Sequence, residues 1–209
     1  MSRLHIFDMD GTLIRASSAN IELAKVIGKV DEFRALDGQF AAGIVDSAGY
    51  ARRAYTMWAG LTEDVVARAF AAAPWLAGIR EVWRDITERG EHCAVISLSP
   101  SFFVGRLRAW GVHETRAAVF PDVPFPVGTT LDPRGVLNPQ SKVLLTDELC
   151  AQYGVSRADC VAYGDSMSDA ALFAAVPTAV AVNGDHHVRD LATHAYAGDD
   201  LRDAYALVR

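Results

Sequence analysis

Two aspartates stand two residues apart near the N-terminus, in Ile6-Phe7-Asp8-Met9-Asp10-Gly11-Thr12. The apolar run from Leu4 to Phe7 is too short for a helix and stops at a polar stretch, so it reads as a buried strand. Gly11 supplies a tight turn at its end. Alone, this stretch is equally well a capped turn, with one carboxylate accepting backbone N–H groups and the other meeting water. The rest of the chain decides. Val95-Ile96-Ser97 closes another apolar run, Lys142 opens a helix, and Cys160 to Tyr163 run into Gly164-Asp165-Ser166-Met167-Ser168-Asp169. Chance rarely orders an acidic pair, a hydroxyl, a lysine and a second acidic pair at successive strand ends.

The chemistry that fits is phosphoryl transfer to a carboxylate. A phosphate monoester carries about two negative charges near neutral pH and repels an acidic nucleophile. Mg²⁺ held by Asp8, Asp165 and the backbone carbonyl of Asp10 would screen the approach, since hard oxygen ligands suit that ion. Lys142 adds a fixed positive charge on the phosphoryl oxygens, and Ser97 with nearby backbone N–H groups donates to them. Asp8 is then the in-line nucleophile, and Asp10 the acid that protonates the leaving alkoxide and the base that activates water.

These groups need a frame that gathers strand ends. Outside residues 15–77 the order is strand, helix, strand, helix, strand, which calls for an α/β fold with a parallel sheet covered on both faces. Ligands bind at the C-terminal ends of such strands. Residues 15–77 instead read as helical throughout. Ile21, Ala24 and Ile27 recur at helical spacing, and Ser17 or Ser18, Asp31, Asp46 and Thr62 offer caps. Residues 121–141, rich in Pro and Gly, read as an irregular excursion with a candidate hairpin around Asp132-Pro133-Arg134-Gly135. Val119-Phe120 is a candidate short strand, and Ala195-Tyr196 a last edge strand.

Composition narrows the class. The chain has 209 residues, enough for one large domain or a core with a small insert, and 51% of them are hydrophobic. A net charge of −6 without a basic cluster beyond Arg52-Arg53 argues against a nucleic-acid partner. Cys93, Cys150 and Cys160 match no zinc spacing and read as reduced core residues. No apolar run reaches membrane-spanning length and no signal region opens the chain, so the expectation is a soluble cytoplasmic protein without a membrane partner. The oligomeric state is open.

With those residues in place, the chain resembles the haloacid dehalogenase superfamily of aspartate-nucleophile phosphatases over nearly its full length. The family's first motif, Asp-x-Asp-x-Thr, matches Asp8 to Thr12. Its second, a strand ending in Ser or Thr, matches Val95-Ile96-Ser97. Its third is Lys142, and its fourth, Gly-Asp-x-x-x-Asp, matches Gly164 to Asp169. The resemblance implies a Rossmann-like three-layer α/β/α core from residues 1–14 and 78–209 with a small α-helical cap inserted at 15–77. It makes Asp8 the nucleophile and Asp10 the acid/base. Ser97, Lys142 and Thr12 hold phosphate, Asp165 binds the metal, and Asp169 supports the metal's surroundings or Lys142.

The cap resembles that of the phosphoserine-phosphatase-like branch, and the sequence departs from that branch where specificity lies. The acidic residue that takes the substrate's amine aligns with Ser17, and the arginine that takes its carboxylate aligns near Ala54. A glycine pair is Leu98-Ser99 here, and an asparagine is Ser168. The implied substrate is therefore a small-molecule phosphate monoester other than, or beyond, phosphoserine. Ser17, Arg52, Arg53, Tyr55 and Trp58 are candidate selectors, within a cap rich in aromatic residues that mostly pack its helices together. Phosphoserine hydrolysis, phosphotransfer to an alcohol and a silent binding role are the alternatives. Asp10 argues against a dehalogenase. A phosphonate hydrolase would call on a cap lysine, Lys25 or Lys29.

Overall fold

The computed structural model describes residues 2–209. Strand β1 (Leu4–Phe7) leads into the two-residue strands β2 (Asp10–Gly11) and β3 (Ile14–Arg15), which pair with each other. Four helices follow: α1 (Ala19–Ile27), α2 (Val30–Ala41), α3 (Ser47–Met57) and α4 (Glu63–Ala72). Helix α5 (Ile79–Glu88) then leads to β4 (His92–Pro100), α6 (Ser101–Val104) and β5 (Glu114–Ala118). The rest alternates as α7 (Pro139–Tyr153), β6 (Cys160–Gly164), α8 (Ala170–Ala175), β7 (Thr178–Val182), α9 (His186–Arg189), β8 (His194–Tyr196) and α10 (Leu201–Ala206).

Six strands form one sheet in the order β5-β4-β1-β6-β7-β8, and every pair is parallel. Alternation along the strands builds two cores. Leu4 and Ile6 face one side with Ala94, Ile96 and Ala162, against Leu149 of α7 and Leu172 and Phe173 of α8. Phe7 faces the other, stacked on Tyr163 at 4.3 Å between ring centroids and edge-on to Trp83 of α5 at 6.2 Å. The molecule is therefore an α/β fold with a parallel sheet between helical layers and an inserted helical cap.

Phe7 lies between Val95 and Tyr163 in register, so Asp8 emerges at the sheet's C-terminal edge beside the ends of β4 and β6. The helical insertion leaves and returns through one tied neck. Arg15 N–H donates to the Pro74 carbonyl and Leu76 N–H to the Leu13 carbonyl, each at 2.9 Å. Side chains start three of the insertion's helices as their types predict: Ser18 accepts from Ile21 N–H, Asp46 from Gly49 N–H and Thr62 from Val65 N–H. Helix α2 instead starts after Lys29 with no side-chain cap, and Asp31 lies inside its first turn. Among the described residues no helix is long and apolar enough to cross a membrane.

Several elements differ from the expectation. Residues 121–137 form no hairpin; Asp132 accepts from Arg134 N–H and closes a 3₁₀ turn over Pro133–Gly135. The edge strand is Glu114–Ala118 rather than Val119-Phe120, because it lies at the sheet's rim, where Glu114 and Arg116 pair with each other. Helix α7 starts at Pro139, three residues before Lys142, since Asn138 and Ser141 form a capping box. Helix α6 is one short turn that tightens into a 3₁₀ turn through Trp110.

Candidate active site

Asp8 continues β1, and its N–H donates to the Tyr163 carbonyl at 2.8 Å, which fixes the backbone where the side chain leaves the sheet. Its Oδ1 accepts from Lys142 Nζ at 2.7 Å. Lys142 rises from the first turn of α7 with only 1% of its surface exposed and reaches Asp169 Oδ1 at 2.6 Å and Ser168 Oγ at 3.3 Å. Burial works to lower the lysine's pKa, but the Asp169 and Asp8 carboxylates outweigh it and hold the ammonium charged. Burial likewise raises the Asp8 pKa, and the Lys142 charge opposes that rise.

Asp165 follows β6. Thr12 Oγ1 donates to its Oδ1 at 3.1 Å, and the Asp165 N–H in turn donates to Asp169 Oδ2 at 3.1 Å. Asp169 is therefore bonded through both oxygens, one to Lys142 and one to the backbone of its own turn. Carboxylate oxygens of Asp8, Asp165 and Asp169 lie within 4.8 Å of one another. Burial, then the Asp169 charge, pushes the Asp165 pKa up to about 7. Like carboxylates crowded in a poorly solvated corner are stabilised by a cation, and an all-oxygen donor set fits a hard divalent ion. The site can therefore hold such a metal.

Asp10 has different partners. Its Oδ1 accepts from Ala19 N–H, in the first turn of α1, at 2.7 Å. Its Oδ2 accepts from Ser99 Oγ at 2.5 Å and Ser97 Oγ at 3.3 Å. Burial raises its pKa, restrained by the Ser99 and Ala19 hydrogen bonds. Ser99 escaped the sequence reading, although it follows Ser97 by two and so shares its face of β4, which is a usable signal.

Asp8 and Asp10 open onto a cavity of about 350 Å³ between the sheet edge and the helical insertion. Ser99, Phe120, Leu137 and Ser168 line its lower walls, and Asn20, Asp37, Phe40, Tyr50 and Trp58 the upper. Ser97, Thr12 and Lys142 are buried beneath it: Ser97 turns to Asp10, and Thr12 gives its hydroxyl to Asp165. The candidate selectors separate. Trp58 lines the cavity, and Ser17 instead bonds Glu22. Arg52 and Arg53 are exposed, with Arg53 on Gln39, and Tyr55 donates to the Thr129 carbonyl of the 121–137 excursion at 3.1 Å. Lys25 pairs with Glu22, and Lys29 donates to the Met57 carbonyl, so neither reaches the cavity. Asn20, Asp37 and Ser99 are polar lining residues to which the sequence assigned no role.

Comparison with known proteins agrees with this fold. A family model described as haloacid dehalogenase-like hydrolase matches residues 6–174, from β1 through α8. A phosphoserine phosphatase of Archaeoglobus fulgidus is 24% identical over 209 aligned residues, covering 95% of this chain and 58% of that protein; the chain thus spans little more than half of that relative. A substrate-bound phosphoserine phosphatase structure superposes with a TM-score of 0.83 at 19% identity, covering 100% of this chain and 99% of that one. A phospho-aspartyl intermediate analogue of phosphoserine phosphatase gives 0.82 at 20% identity with the same coverage. A HAD family hydrolase from Salmonella enterica serovar Typhi gives 0.82 at 22% identity, covering 92% of this chain and 66% of that one. Likeness at these identities speaks to the fold, and the family model matches well over half of the chain. The chain belongs to the haloacid dehalogenase-like hydrolase family.

Proposed function

We propose that the protein hydrolyses a small phosphate monoester through a phospho-aspartyl intermediate on Asp8. The observation that carries this is the unequal surroundings of two carboxylates at one strand end: buried Asp8 is paired to the Lys142 ammonium, while half-buried Asp10 is held by serine hydroxyls and a backbone N–H with no ammonium bonded to it. The first suits a nucleophile and the second an acid.

The Asp8 carboxylate attacks phosphorus, forming an Asp8 O–P bond as the ester P–O bond breaks. The proton on Asp10 passes to the departing oxygen, and the alcohol leaves. Water then gives a proton to Asp10 and attacks phosphorus, the Asp8 O–P bond breaks, and inorganic phosphate is released. Lys142, held by Asp8 and Asp169, stands ready to offset charge on the phosphoryl oxygens. Ser97 and Ser99 fix the Asp10 carboxyl, and Ala19 ties that carboxyl to the first cap helix. Mg²⁺, held by Asp8, Asp165 and the Asp10 backbone carbonyl, would supply positive charge to the phosphoryl oxygens. The cap helices roof the cavity, and a bound ester filling it would keep water from the first transfer.

The names of the relatives support phosphoserine as the first substrate to test. One observation favours a different alcohol: among the described residues lining the cavity there is no lysine, arginine or histidine to receive a carboxylate. Phosphate release from p-nitrophenyl phosphate and phosphoserine, in Mg²⁺, by the native protein and by Asp8→Asn tests the core reading. Release that falls to background in Asp8→Asn is expected. Release that survives the substitution removes Asp8 as nucleophile, and phosphate delivered to added glycerol instead of water makes the protein a transferase.

A further inference from the structure

Three cap helices converge on one polar spot in the cavity roof. Asn20 of α1 donates through Nδ2 to the Tyr50 hydroxyl of α3 at 2.9 Å, and that hydroxyl donates to Asp37 Oδ1 of α2 at 2.7 Å. A tyrosine hydroxyl has one proton to give, and here Asp37 receives it. Asn20 must then turn its NH₂ to Tyr50, which leaves its carbonyl oxygen, Oδ1, buried with no hydrogen-bond partner. An unmatched buried acceptor costs free energy until a donor arrives. Among the described residues Asp37 Oδ2 has no protein donor either, and burial has raised that carboxylate's pKa, with the Tyr50 hydrogen bond restraining the rise. All three residues line the same cavity as Asp8 and Asp10. The roof thus presents acceptors and negative charge to whatever occupies the space above the nucleophile.

The walls between floor and roof are apolar: Trp58, Phe120, Leu137 and Phe40, whose ring stands edge-on to Tyr50 at 5.6 Å. A short methylene chain fits such walls, and aromatic faces favour a cation over an anion. A carboxylate in this space would meet Asp10 and Asp37 with no basic side chain on the lining to offset it. Lys142 is shielded beneath Asp8.

We infer that Asn20, Tyr50 and Asp37 form the subsite for the leaving group, and that it takes the protonated amine of an amino-alcohol phosphate lacking a carboxylate. The inference rests on the hydrolase reading above, in that the ester phosphate sits at Asp8. An ammonium brings the hydrogen-bond donors that Asn20 Oδ1 and Asp37 Oδ2 lack, together with a charge opposite to that of Asp37.

The test reads binding as well as turnover. Calorimetry with the Asp8→Asn protein in Mg²⁺ compares 3-aminopropyl phosphate, its near-isostere butyl phosphate, and phosphoserine. The amine is expected to bind roughly tenfold more tightly than butyl phosphate and more tightly than phosphoserine, with the preference lost when Asp37→Asn is added. The kcat/KM values of the native protein should fall in the same order. Butyl phosphate binding as well as the amine, phosphoserine ranking first, or an amine preference that survives Asp37→Asn overturns the inference. A native protein that releases phosphate from none of these esters overturns the hydrolase reading instead, while the binding order still judges the subsite.

Discussion

Gly11 stands between the Asp8–Asp10 pair and Thr12, whose hydroxyl donates to Asp165 of the carboxylate cluster, with φ at +78°. A Cβ built there would lie 2.1 Å from Asp165 Oδ2, inside the carboxylate's own volume. Two demands therefore converge on one residue: a left-handed backbone that turns Thr12 back toward Asp165, and space for that carboxylate. Gly11→Ala should displace Asp165 by an ångström or more while leaving the sheet intact. Misplacement on that scale costs roughly 100-fold in kcat/KM. Phosphatase assays alongside circular dichroism check this, and a variant with native kcat/KM would show that the cluster tolerates the shift. At this scale the sequence was informative wherever a group lies within a few residues of its partner. Asp8, Asp10 and Thr12 announce themselves, and Asp165 and Asp169 share one turn. Ser99 was visible by strand alternation but masked by the motif serine two residues earlier. Asp37 and Tyr50 were not legible as a site, because their contact depends on how α2 and α3 cross, which no local spacing encodes.

Strand β1 leads into Asp8, the proposed nucleophile, at one end and carries a buried histidine near the other. His5 Nε2 meets Glu91 at 2.9 Å and Nδ1 meets the Tyr163 hydroxyl at 3.0 Å. Tyr163 is fully buried and burial holds its hydroxyl protonated, so it donates to Nδ1 and the imidazole is neutral with its proton on Nε2. Burial lowers the His5 pKa from 6.5 to about 4, and the Glu91 hydrogen bond only partly offsets that. Between those values the unfolded chain binds a proton that the folded chain refuses. Stability is then full above pH 6.5 and drains as pH falls toward 4. Between pH 8 and pH 5 the loss from His5 is about 2 kcal/mol. Asp165, near 7, titrates with the opposite sign, but in native protein and variant alike. Urea unfolding at the two pH values should therefore show the native protein losing about 2 kcal/mol more than His5→Gln, and equal losses would mean that His5 is protonated in the fold. The strands and capped helices were readable because their periodicity and end residues are local. The 3₁₀ turn at Pro133–Gly135, the start of α7 and the rim strand β5 were misjudged because a side-chain cap or an edge position overrode the apolar pattern.

For the molecule as a whole, the site is an electrostatic load on the fold. Asp8, Asp10, Asp165 and Asp169 gather at one sheet edge around the Lys142 ammonium, in a chain already at −6. Folding brings these carboxylates together, and unfolding releases them to water. A divalent cation that binds the gathered set and not the open chain must therefore stabilise the folded state by mass action, about 2.7 kcal/mol at a hundredfold excess over its Kd. For a chain of this size that is a rise in Tm of roughly 5–10 °C. Asp165 is the sharpest probe, because burial and the Asp169 charge already push its pKa to about 7, which means that its ionised form is held at a cost. Asp165→Asn keeps the shape and an acceptor for Thr12 while removing that charge. At pH 8 without metal, the variant should melt at or above the native protein, and with Mg²⁺ the order should reverse as only the native protein gains. Thermal melts of both proteins, with and without Mg²⁺, decide it. A native protein that Mg²⁺ leaves unmoved, or a variant that gains as much, would mean that this cluster is not where the cation binds.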